Sequence, residues 1–162
     1  MDLNDYLIPQ AGKDWKTLLS GWFELLPRSF TLWMVNRFGD LFVVLDDEAV
    51  YMLDVGIGTF KRLANNRSHF AALMDVGDNA NHWLMMPLVN ACVASGIILG
   101  PNRCYGYKIP PVLSGRYEVG NVYPADLAVH YAFLADIYRQ TRNLPEGTPV
   151  TGVVFDRAKR RK

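Results

Sequence analysis

Residues 100–111 read Gly-Pro-Asn-Arg-Cys-Tyr-Gly-Tyr-Lys-Ile-Pro-Pro. No helix can run through them. Proline removes a backbone donor and fixes φ, and glycine admits backbone geometry that other residues avoid. The segment has to be a turn, a short strand and a stiff extended exit. It also gathers two tyrosines, Tyr105 and Tyr107, and two cations, Arg103 and Lys108, within a few positions. Interfaces favour that mix, because tyrosine brings a large area and a polar tip at low entropic cost. The same rings also suit a domain interior, and the sequence leaves both readings open.

The rest of the chain supplies elements to pack around this segment. Trp15, Leu18, Leu19, Trp22, Leu25 and Leu26 fall on one stripe of a 3.6-residue period, which predicts a helix over 14–26. Asp14 is placed to cap it and Pro27 to end it, and its two tryptophans read as core. Two β-rich runs, 41–45 and 50–53, flank the acidic turn Asp46-Asp47-Glu48-Ala49. A second turn over 54–58 leads to a third run at 59–63, completing an antiparallel meander. Its first strand is apolar on both faces, so helices must cover it. Helices are expected over 66–74 and 86–95, the second stopped by Gly96, and over 125–140 with Asp126 and Arg139 complementing its dipole. Leu127, Tyr131, Leu134 and Tyr138 form the buried stripe of that last helix. A final edge strand is expected over 150–155. The fold class is therefore α+β: an antiparallel β-meander flanked by helices, then a second, helical half with a short strand pair.

A length of 162 residues suits one domain over 1–162. Its one candidate hinge, at 77–81, would divide it into lobes 1–77 and 82–156. With 50% hydrophobic residues, a chain of this size buries roughly 70% of its unfolded surface without staples. Net charge is +1, which argues against a dedicated nucleic-acid binder. Much of the basic charge sits in the tail 157–162, at Arg157, Lys159, Arg160, Arg161 and Lys162, and reads as solvated. Cys92 and Cys104 match no zinc spacing, so free thiols in a reducing compartment are expected. The N-terminus lacks a secretory signal and no apolar run spans a bilayer. A soluble, cytoplasmic protein is the expectation, with no membrane partner.

Chemistry-bearing patterns are weak. His69, His82 and His130 have no ligand-spaced partners, so no metal is expected. His130, between Leu127 and Leu134, reads as a hydrogen-bonded core histidine. Gly56-Ile57-Gly58 precedes no helix and cannot cradle a phosphate. A Cys104–His130 nucleophile pair is a minor reading. The acids Asp40, Asp46, Asp47, Glu48 and Asp54 lack calcium-loop spacing and read as a solvated rim that attracts a basic partner. No cofactor and no enzymatic activity are expected.

Four runs carry a resemblance. They are Gly39-Asp40-Leu41-Phe42-Val43-Val44, then Val50-Tyr51-Met52-Leu53-Asp54-Val55-Gly56-Ile57-Gly58, then Cys104-Tyr105-Gly106-Tyr107-Lys108-Ile109-Pro110-Pro111-Val112-Leu113, then Asp126-Leu127-Ala128-Val129-His130. Together with Leu144-Pro145-Glu146-Gly147-Thr148 they resemble a bacterial family once known only as a domain of unknown function. That family is associated with immunity proteins of type VI secretion DNase toxins. The resemblance runs from about Leu19 to Val153. The hairpin, Leu63-Ala64 and the Phe70 helix are also similar to the yeast-cell-wall-regulator-like immunity folds, which implies a sheet flanked by helices. The resemblance implies a non-enzymatic protein that binds a cognate protein toxin and neutralises it by occlusion. On that reading the partner-binding residues are Asp46, Asp47, Glu48, Arg103, Tyr105, Tyr107 and Lys108. The alternative is a small-molecule or nucleotide-sensing domain with a pocket near Tyr105, Lys108 and His130. A homo-oligomer is compatible with either.

Overall fold

The computed structural model describes residues 1–152. Strands β1 (Thr31–Val35), β2 (Leu41–Val44), β3 (Val50–Asp54) and β4 (Thr59–Ala64) form one antiparallel sheet in chain order. Strands β5 (Arg103–Tyr107) and β6 (Val122–Asp126) form a separate antiparallel pair. The helices are α1 (Trp15–Leu18), α2 (Arg67–Met74), α3 (Asn79–Trp83), α4 (Met86–Ala94) and α5 (Leu127–Thr141). The chain is α+β, with the expected meander and second strand pair.

The sheet is central because β2 is buried along its whole length. Successive strand side chains point to opposite faces. Leu41 and Val43 join a core with Trp22, Cys104, Tyr131 and Leu134 under α1 and α5. Phe42 and Val44 join a second core with Phe70, Leu84, Leu88, Tyr105 and Tyr107 under α2, α3 and α4. Both cores draw on residues from either side of positions 77–81, where Asp78 and Asn79 lead into α3.

Four local expectations need correction. The strand β1 was absent from the sequence reading; a bulge between Leu32 and Met34 breaks the alternation that would have marked it. The first helix is one turn, followed by a 3₁₀ turn over Ser20–Trp22, instead of a continuous helix to Leu26. Its cap is as expected, with the Asp14 carboxylate accepting the Thr17 N–H. Pro124, expected to precede a helix, lies within β6 opposite Tyr105. A two-stranded pair leaves an outer edge where a missing N–H is tolerated. Residues 150–152 are not a strand, and the remainder of that expected strand and the basic tail lie outside the described residues.

The helix α5 locks the sheet's first turn. Asp126 caps it by accepting the Val129 N–H at 3.0 Å. One turn in, His130 Nε2–H donates to the Phe38 carbonyl at 2.8 Å, and the Tyr131 hydroxyl donates to the Gly39 carbonyl at 2.8 Å. Gly39 sits at φ +85°, and a Cβ there would lie 3.1 Å from His130 Cδ2. Gly39→Ala should therefore cost about 1–2 kcal/mol from the left-handed backbone alone, and more from the crowded ring. A urea midpoint unchanged within error would contradict this clamp.

Candidate partner-binding site

The β1–β2 turn is organised by Asn36. Its Oδ1 accepts the N–H groups of Phe38 (2.9 Å) and Asp40 (3.0 Å), and its Nδ2 donates to Asp40 Oδ2 at 2.9 Å and to the Trp83 carbonyl at 3.0 Å. Asp40 Oδ1 accepts the Val55 N–H at 3.0 Å, tying this turn to the one after β3. Asp40 is 3% exposed. Burial, and then the nearby charge of Asp54, hold its carboxyl well above the usual carboxylate range. Asp54 closes β3 and accepts the Ile57 N–H at 3.0 Å; its own carboxyl is raised, chiefly by burial.

Over this acid pair lies the exit from β5. Tyr107 stacks on Phe38 with ring centroids 5.4 Å apart, and the Tyr117 ring meets it edge-on at 6.1 Å. Burial first, then the two carboxylates, push both phenols up. Gly56 permits the approach: a Cβ there would lie 3.3 Å from the Tyr107 ring and 3.4 Å from Asp54 Oδ1. Tyr117 is positioned by a pinned loop. The Asn121 side chain accepts the Ile109 N–H at 2.9 Å and donates to the carbonyls of Ile109 (2.8 Å) and Arg116 (2.9 Å). Gly115 lies so close beneath Ile109 that a Cβ would fall 1.6 Å from its carbonyl oxygen. Between this loop and α3–α4 opens a groove of about 720 Å³. Its walls include Asp54, His82, Met85, Leu88, Ala91 and Tyr117.

The residues singled out from the sequence are not gathered at one place. Asp46, Asp47 and Glu48 are exposed at the β2–β3 turn, the far end of those strands from Asp54. Asp47 accepts the Ala49 N–H at 3.1 Å, and Glu48 pairs with Arg67 at 3.3 Å, an exposed pair worth little by itself. Arg103 opens β5 and Lys108 follows its end, both exposed. At about 3.3 Å per residue they stand roughly 16 Å apart along the strand. Tyr105 and Tyr107 are not presented to a partner in the free chain. They are 2% and 5% exposed, both rings pack on Phe38, and the Tyr105 hydroxyl donates to the Ile97 carbonyl at 2.8 Å. The interior reading of these rings holds because both faces of β5 are covered after Arg103: Tyr105 and Tyr107 join the core with Phe38, Phe42 and Leu88, and Cys104 joins the one with Tyr131 and Leu134.

The proposed nucleophile pair fails on access. Cys104 is fully buried, and burial pushes its thiol far up, away from the thiolate that reacts. His130 is also buried, with Nε2–H given to Phe38. Nor do Tyr105, Lys108 and His130 line one pocket. Tyr105 borders a depression of about 290 Å³ whose other walls include Asp5, Arg37, Val93 and Ile98, not Lys108 or His130. The groove residues on α3 and α4 were missed. Their signal was present in α4, where Pro87, Leu88, Val89, Ala91, Cys92 and Val93 are apolar on all sides, more than one buried face requires.

The fold and the site define an α+β module that carries a surface groove. No helix among the described residues is long and apolar enough to cross a membrane. Residues 64–138 match the family model described as T6SS immunity protein Tdi1, C-terminal, where T6SS is the type VI secretion system. This is the immunity-type family that the Cys104–Leu113 run resembles. The match begins at Ala64, so the quoted runs over 39–58 lie outside it, and it includes every named groove residue except Asp54. No curated protein matches the chain.

Proposed function

We propose that the protein is a non-enzymatic immunity protein that binds a cognate secreted toxin and neutralises it by occlusion in the cytoplasm. The observation that carries this reading is the match of residues 64–138 to the T6SS immunity protein Tdi1 C-terminal family. The burial of Cys104 and His130 supports a role through surface complementarity rather than covalent chemistry. The toxin is taken to be a DNase, on the family resemblance. The exposed acidic turn Asp46-Asp47-Glu48 would steer towards a basic nuclease surface, and Arg103 and Lys108 would add polar contacts. Tyr105 and Tyr107 contribute by holding β5 in place. The chain 1–162 is taken as one binding domain.

Co-expression with toxic effector candidates encoded beside its gene tests the proposal. Survival together with a stoichiometric complex is the expected result. Charge removal at Asp46, Asp47 and Glu48 together should slow association about tenfold at low salt and leave the dissociation rate nearly unchanged. Cell death with no complex, despite folded protein, would refute the immunity reading.

A further inference from the structure

We infer that the groove between α4 and the loop carrying Tyr117 is a docking site for a protein segment that presents one arginine or lysine flanked by apolar side chains. The inference rests on the immunity reading for who that partner is, but not for its chemistry. Three observations on this groove point to that occupant.

First, the walls are divided by chemistry. Met85, Leu88, Ala91 and Val119 form an apolar stretch, whereas Asp54 and Glu118 supply negative charge beside it. A groove of about 720 Å³ lies in the range of sites that take several side chains or a small ligand. Second, the acid is undercompensated. Asp54 stands over the buried Asp40, and the cation that acts on it is Lys61, an exposed residue of β4. Lys61 does not line the groove, whose wall carries His82 as its basic side chain. An incoming cation would pair with the ionised Asp54 carboxylate in a partly dry setting, where a charge pair counts for more than in water. Third, Tyr117 is half exposed on the same wall, and an aromatic ring beside an acid is a setting that attracts a guanidinium or ammonium group. Arginine, with its planar fork and affinity for aromatic faces, fits better than lysine.

The test uses the full chain, labelled with ¹⁵N, and the peptide acetyl-Leu-Arg-Leu-amide beside its citrulline counterpart. Saturable shifts at the amides of Asp54, His82, Ala91 and Tyr117 are expected with the arginine peptide, at least fivefold weaker with citrulline. They should be lost in Asp54→Asn, whose side-chain oxygen still accepts the Ile57 N–H, with urea unfolding confirming that the variant is folded. No shifts at the groove, or equal response to citrulline, would overturn the inference. In parallel, Ala91→Arg and Asp54→Asn are co-expressed with the toxin candidates used to test the wild type. Loss of protection by folded groove variants, with wild-type protection intact, supports the inference. Wild-type protection with undiminished protection by both variants overturns the groove and leaves the immunity reading standing. Failure of the wild type to protect ends the immunity reading, and the peptide titration then decides the groove alone. Self-association in sedimentation that Ala91→Arg abolishes would make a second copy the occupant and also overturn the inference.

Discussion

Alanine at Tyr107 is expected to destabilise the fold by about 3–5 kcal/mol, and alanine at Tyr105 by a similar amount. Each ring is buried against Phe38, and Tyr107 also supports Tyr117. Neither site can collapse easily, because pairing with β6 along its length holds the backbone of β5 in place. Domains of this kind hold only about 5–15 kcal/mol in total, so the double alanine variant should not fold at 37 °C. Tyr105→Phe is the control. It loses only the hydroxyl bond to the Ile97 carbonyl, worth about 1 kcal/mol. Urea unfolding and near-ultraviolet circular dichroism check the series. Folded alanine variants with unchanged midpoints and no toxin binding would instead put both rings at the interface.

Acid should weaken the protein through His130. The ordinary histidine pKa of about 6.5 applies to the unfolded chain. In the fold, burial holds the ring down to about 4. The unfolded chain therefore takes up a proton first as the pH falls. This contribution to stability is full above about pH 6.5 and is lost progressively towards pH 4, amounting to about 2–3 kcal/mol by pH 4.5. Asp40 acts in the opposite sense. Its carboxyl is raised in the fold, so the folded state takes up that proton first, and stability is gained as the pH falls through the folded value. The two effects partly cancel in the wild type. His130→Gln keeps a donor for the Phe38 carbonyl but removes the titrating ring. The stability gap between wild type and this variant should therefore narrow by about 2–3 kcal/mol between pH 7.5 and 4.5. Parallel urea midpoints across that range would mean that the ring is not held neutral.

The two predictions concern residues that the sequence marked for different reasons. The tyrosines were legible as a notable cluster and not as interior. Alternation, which decides burial in a strand, fails for Arg-Cys-Tyr-Gly-Tyr, because four of the five residues of β5 are buried. That pattern follows from cover on both faces, which no local signal reports. His130 was legible as a core residue because its neighbours on the helix, Leu127 and Leu134, define the buried stripe. Its effect on stability depends on the Phe38 carbonyl, 92 positions away. The groove was illegible for the same reason: Asp54 and Tyr117 come together only when the loop after β5 is pinned by Asn121.

What the sequence determined by itself is local. β-rich runs and acidic or glycine turns marked the hairpins of β2, β3 and β4, and a 3.6-residue stripe with Asp126 at its start marked α5. Proline and glycine barred any helix from running through 100–111, and the Cys104–Leu113 run was one of those that carried the family resemblance. These are near-neighbour effects of φ, hydrogen bonding and amphipathic period, and they act before the chain is compact. Tertiary structure decided the rest. It shortened the first helix where Gly21 meets Ala135, bulged β1, placed Pro124 in an edge strand, and turned Tyr105 and Tyr107 inward. Each of these outcomes depends on which surface lies opposite, and burial is the larger free-energy term once helices and sheet meet.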